Sequence, residues 1–155
     1  MEAMAFLSSF NIVASGLTAQ QLRLDIVGEN VTNSTTTRVE NGEGAYRRKM
    51  VVFEAKTGRD GFRRAMARAA SGMVPNGQIA GGVRVTQIVE DPSPMKLVYD
   101  PTHPDANEDG YVEMPNVDMV KEITDAMAAT QAYSSKVTIF NTMKTVVTDA
   151  LQIGK

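Results

Sequence analysis

Apolar residues recur at alternating three- and four-residue intervals at both ends of the chain, while glycine and proline punctuate much of what lies between. At the amino end Phe6, Phe10, Val13, Leu17, Leu24, Val27 and Val31 fall on one heptad seam, with Gln20 as its single polar member. At the carboxyl end Met119, Ile123, Ala126, Thr130, Tyr133, Val137, Phe140, Val147 and Leu151 repeat the spacing, and Lys144 interrupts it in register. The pattern predicts two long terminal helices whose stripes pair with each other or with neighbouring molecules. That points toward assembly rather than catalysis.

The punctuation sets the helix ends. All six prolines lie between Pro75 and Pro115, and no glycine occurs from Tyr111 to Ile153, so the last helix propagates without a break. It is predicted to start after Pro115, with Asn116 or Asp118 capping the free amides and Glu122 near the positive end of the dipole. It would run for about 36 residues, on the order of 54 Å. Its distal half is apolar on a second side through Ile139, Met143, Val146, Ala150 and Ile153, and a helix with two apolar sides needs more than one partner.

The first helix is expected from about residue 5 to 33. Gly16 and Gly28 would each weaken it by roughly 1 kcal/mol relative to alanine, while allowing a neighbour to approach closely. Strands are expected at residues 47–54 and 83–89, with shorter pieces at 96–99 and 110–112, which together make a small antiparallel β unit. The expected fold is α+β: residues 1–33 and 115–155 form a coiled-coil-like helical layer, and 34–114 a β-rich middle with a flexible basic loop at about 57–77.

The 155 residues carry a formal net charge of -2, so no global footprint for nucleic acid is present. The charge is uneven. Residues 56–71 hold Lys56, Arg59, Arg63, Arg64 and Arg68 against Asp60, whereas Asp and Glu dominate residues 90–125, and complementary patches suit head-to-tail contacts between copies. The sequence has no cysteine, which excludes disulfides and thiolate metal sites. Glu2 and Asn11 do not fit a cleaved secretory signal, and no apolar run approaches the roughly twenty residues that span a bilayer.

Candidate chemistry is sparse. The one histidine, His103, sits in a turn-like Pro-Thr-His-Pro sequence, and no catalytic residue, cofactor or metal is expected. Residues 105–110, Asp-Ala-Asn-Glu-Asp-Gly, match the opening of a calcium loop. Asn116 stands where that loop needs a bidentate glutamate, however, and Pro101 and Pro104 argue against an entering helix. An Asp/Asn/Gly turn between strands is the simpler reading. Arg63, Arg64 and Arg68 lack the interleaved aromatics of a nucleic-acid surface, and the glycines of residues 77–82 lack the Gly-Lys-Ser/Thr of a phosphate loop.

Residues 14–33, which open Ala-Ser-Gly-Leu-Thr-Ala and close Asn-Val-Thr-Asn, resemble the amino-terminal signature of bacterial flagellar basal-body rod and hook proteins. Residues 46–54, 81–100 and 110–118 are similar to the pattern of the proximal-rod members of that family. Gly28 and Thr32 depart from it where alanine is commoner, and residues 57–77 match no signature.

The resemblance implies a non-enzymatic subunit of the rod, assembled with itself and other rod proteins across the periplasm. Contacts to the membrane ring, the export apparatus and surrounding ring proteins are also implied, with export through the flagellar type III system. Phe6, Phe10, Val13, Gly16, Leu17, Leu24, Val27, Asn30 and Asn33 would form one assembly interface. Met119, Ile123, Tyr133, Val137, Phe140, Met143, Val147 and Leu151 would form another, and Arg63, Arg64 and Arg68 are candidate lateral contacts. A self-contained coiled-coil adaptor and a small calcium-binding module are the alternatives.

Overall fold

The computed structural model describes residues 2–39, 44–56 and 81–153, excepting the side chains of residues 2–7 and 153. Two long helices, α1 (Glu2–Thr32) and α2 (Met119–Ile153), bracket four strands: β1 (Lys49–Ala55), β2 (Val83–Glu90), β3 (Lys96–Tyr99) and β4 (Tyr111–Met114). The fold is α+β. The strands divide into two two-stranded sheets, β1 with β2 and β3 with β4. Bonds from Asp91 N to Arg48 O and from Lys56 N to Gly82 O bracket the first ribbon and make it antiparallel. Pro92 and Pro94 separate the ribbons, and neither has an amide to offer a ladder.

The helix ends follow from their side chains. Asp118 is the cap of α2, its Oδ1 accepting from Val120 N at 3.0 Å and Lys121 N at 3.4 Å. Asn116, the other expected cap, instead donates to the carbonyls of Asp91 and Ser93. At the end of α1 both the backbone and the side-chain amide of Asn33 donate to Glu29 O at 3.0 Å. Along α2 the hydroxyls of Thr124, Thr130, Thr138, Thr142 and Thr145 each donate to the carbonyl four residues back, which settles polar groups poorly suited to a helix interior.

The chain forms two compact units, and the division falls inside both helices. The first comprises Met1–Gln20, Phe53–Thr86 and Ala132–Lys155. Within it the rings of Phe10 and Phe140 meet edge to face at 5.1 Å, and Gly16 lies against the Lys136 stem, so that a Cβ there would come within 2.7 Å of Lys136 Cε. Ser15 Oγ accepts from Val83 N at 3.1 Å and donates to Ile12 O.

The second unit comprises Gln21–Val52 and Gln87–Gln131. It holds the apolar core: Ile26, Val27, Ala45, Tyr46, Val112, Val117 and Ala129 are buried, and among the described residues only Ala19 adds a buried apolar side chain outside it. Here α1 and α2 are tied by Arg23 to Asp125, with Nε to Oδ2 at 3.0 Å, and by Asn30 to Glu122.

Phe10 and Phe140 meet on the expected apolar seams, while the other contacts between the helices lie one residue before them. On α1 this offset line runs through Gly16, Ala19, Arg23, Ile26 and Asn30, of which all but Arg23 are buried. On α2 it runs through Glu122, Asp125 and Lys136. At Gly16 the physical reason is side-chain size, since the missing Cβ leaves room for the Lys136 stem, and at Arg23 and Asn30 it is the pull of Asp125 and Glu122.

Candidate assembly site

Nothing among the described residues gathers into a catalytic or metal-binding arrangement, and no group of three or more His, Cys, Asp or Glu is placed to hold a metal ion. His103 is held in a turn, its Nδ1 accepting from Asp105 N at 3.1 Å. Residues 105–110 are occupied as a turn between β3 and β4. Asn107 Oδ1 accepts from Asp109 N and Tyr111 N, Gly110 sits at φ 79°, and Asp105 accepts from Thr37 and pairs with Arg38. Two ligands that a calcium loop would need are thereby committed elsewhere.

The most heavily constrained group is a buried polar cluster in the second unit. Asn30, 1 % exposed, donates through Nδ2 to Lys49 O at 2.9 Å and to Glu122 Oε2 at 3.0 Å. Its Oδ1 accepts from Tyr46 OH at 2.9 Å and Lys49 N at 2.8 Å, so all four of its hydrogen-bonding positions are filled. Glu122, 0 % exposed, also accepts from Arg48 Nε at 2.6 Å, and Arg48 reaches Asp91 Oδ2 at 3.5 Å. Arg48 N donates to Asn116 Oδ1 at 2.8 Å.

A buried carboxylate is tolerable only with such pairing. The cluster joins the end of α1, the start of β1 and the first turn of α2. Burial, then the charges of Glu29 and Glu122, push the Tyr46 hydroxyl up to about 12. The Ser93 hydroxyl and amide, both donating to Asp91, hold its carboxyl below the usual range.

The sequence-predicted surface residues separate into three sets. Val27, Gly16 and Asn30 are buried, while Phe10, Val13, Leu17, Leu24, Asn33, Tyr133, Val137, Phe140, Met143 and Val147 are half-buried. Met119, Ile123 and Leu151 are exposed, and so are Val120, Met127, Ile139 and Val146, which carry a second apolar side of α2. The Phe6 side chain and Arg63, Arg64 and Arg68 lie outside the described residues. Sequence reasoning missed the cluster around Glu122 and the exposed apolar face of the β3–β4 ribbon. In that ribbon Leu97, Tyr99 and Tyr111 are exposed, and the two tyrosine rings meet at 5.2 Å.

Comparison with known proteins shows where this architecture is used. The family described as flagellar basal body rod FlgEFG protein C-terminal matches residues 108–153, which take in β4 and α2. Over 150 residues the chain is 45% identical to the flagellar basal-body rod protein FlgC of Bacillus subtilis, covering 95% of this chain and 97% of that one. The chain belongs to the FlgC family of flagellar basal-body rod proteins.

FlgC of Borreliella burgdorferi is 39% identical over 97% of this chain and 98% of its own length. FlgC of Salmonella typhimurium is 35% identical over 98% of this chain and its whole length. The similarity therefore spans both helices and both ribbons of this FlgC-family chain. The FlgC family is structural, not enzymatic, and among the described residues no helix is long and apolar enough to cross a membrane.

Proposed function

We propose that the chain polymerises with copies of itself and with other rod proteins into the proximal rod, the drive shaft that crosses the periplasm and passes torque to the hook and filament. The observation that carries this reading is the two-sided apolar character of α2. Phe140 packs on Phe10, while Ile139 and Val146 stand 49 % and 58 % exposed on the same stretch of helix. An apolar stripe of this kind, on a helix that already packs on its other side, suits cover by a neighbouring subunit.

In the assembled rod the terminal helices would form a coiled-coil-like layer along the axis, where stiffness matters more than chemistry. Open helical assemblies use heterologous interfaces, so the two sides of each subunit must complement one another. Export through the flagellar type III apparatus without a cleaved signal fits a cysteine-free chain, which threads without cross-links. Ring and export components are the further partners of this reading.

The test is Ile139→Asp combined with Val146→Asp, because both positions are exposed and neither change empties the core. The variant should keep the protease resistance of the second unit yet be missing from isolated basal bodies and leave cells non-motile. Normal flagella built from it would overturn the proposal.

A further inference from the structure

The β3–β4 ribbon presents an apolar face that the fold itself does not cover. The register pairs Leu97 with Glu113 and Tyr99 with Tyr111, so these four side chains share one face by strand alternation, while Val112 turns to the other face and is buried. Leu97 and Tyr99 are 64 % and 65 % exposed, although both are large and apolar-bodied. The face continues into an open cavity of about 420 Å³, lined by Leu97, Tyr111 and Glu113 with Arg38, Asp105 and Pro104.

Its rim is acidic. Glu108, Asp109 and Glu113 are exposed, and among the described residues no cation pairs with them. Paired aromatics with carboxylates on the same ribbon and in its turn suit a basic segment carrying its own apolar residues: arginine stacks on tyrosine faces and pairs with carboxylates.

The same chain supplies such a segment. Residues 59–68, Arg-Asp-Gly-Phe-Arg-Arg-Ala-Met-Ala-Arg, set four arginines around Phe62 and Met66 against a single Asp60. We infer that the Leu97–Tyr99–Tyr111 face is a docking surface for residues 59–68 of a second copy of the chain. This rests on the rod reading and gives it one lateral contact. A polymer of identical subunits needs mutually complementary contacts on each copy, and the ribbon face and this sequence match in both charge and apolar content.

The test uses two co-expressed full-length copies in cells without another source of the protein. One copy carries a photo-cross-linking phenylalanine derivative in place of Tyr99, and the other carries a peptide tag. Basal bodies are isolated after irradiation, and cross-linked peptides are identified by mass spectrometry. The expected result is a band of two chains containing the tag, with Tyr99 joined to residues 59–68. Arg63→Glu with Arg64→Glu in the tagged copy should lower its yield at least tenfold, and adding Glu113→Arg to the first copy should restore part of it.

Cross-links confined to a single chain, to α2, or to a different protein would overturn the inference, as would their absence. If the chain is recovered in basal bodies but Tyr99 does not reach residues 59–68, this contact fails and the rod reading stands. If the chain is absent from basal bodies, the rod reading itself falls.

Discussion

Asn30 and Glu122, 92 positions apart in sequence, share a hydrogen bond of 3.0 Å and are among the least exposed side chains of the chain. The bond joins the last turns of α1 to the first turn of α2. Removing either partner leaves the other's polar atoms buried. Glu122→Ala leaves one Asn30 donor unsatisfied and leaves Arg48 only its longer contact to Asp91, so the loss should fall below the roughly 3–5 kcal/mol of a fully buried charged pair. Asn30→Ala keeps the ion pair but orphans Lys49 N and Tyr46 OH, at about 1–3 kcal/mol for each group left unsatisfied. Urea unfolding of the full chain should show both losses. A Glu122→Ala midpoint equal to wild type would mean that the cluster does not hold the fold.

Tyr46 makes the same cluster sensitive to alkali. Its hydroxyl is pushed from 10.0 to about 12, chiefly by burial, so the folded chain holds this proton more tightly than the unfolded one. The associated stability is complete below pH 10 and is lost as pH rises toward about 12. Tyr46→Phe has no such proton. At pH 8 it should be less stable by about 1 kcal/mol, the worth of the bond to Asn30. Across pH 10 to 12 the gap should close, and parallel curves for the two proteins would refute this assignment.

The two glycines of α1 should answer differently to alanine. Nothing lies within 4 Å of a Cβ built on Gly28, so Gly28→Ala should gain up to about 1 kcal/mol of helix propensity. At Gly16 the same gain is offset by displacement of the Lys136 stem, and a net change of about zero is expected. Gly110→Ala should destabilise, because φ is 79° and the new Cβ would come within 3.0 Å of Tyr99. Thermal melts of the three variants check the order, and a Gly28→Ala melt below wild type would contradict it.

What the sequence reveals here is local. Pro115 and Asp118 announce the start of α2, and the seams of Phe10 and Phe140 announce two apolar helices. The pairing of Arg48 with Glu122 is not local. Arg48 reads as an ordinary strand residue and Glu122 as a favourable charge in a first helical turn, and neither pattern reveals a partner 74 positions away. Asn30 reads as part of an assembly signature, while the structure uses it inside the subunit. The offset contacts of Gly16, Arg23 and Asn30 were also hidden, because hydrophobic spacing marks large apolar residues and these contacts are made by a glycine and by polar side chains.

Most of the buried apolar side chains among the described residues belong to the second unit, whereas the Phe10–Phe140 pair belongs to the first. A formed edge-to-face pair contributes about 0.5–1.5 kcal/mol, too little to order two helix ends against the loss of about 1–2 kcal/mol of backbone entropy for each residue fixed. In the purified chain, limited proteolysis should therefore remove both ends and leave a resistant fragment of about residues 21–131. That fragment is longer than the β region alone, because the tie between Asn30 and Glu122 protects the inner turns of both helices. Phe10→Ala and Phe140→Ala should show no coupling in a double-mutant cycle on the free chain, yet each should reduce recovery in basal bodies. An intact, resistant chain with a measurable coupling would mean that the ends pair before assembly, and the neighbours in the rod would then only have to cover them.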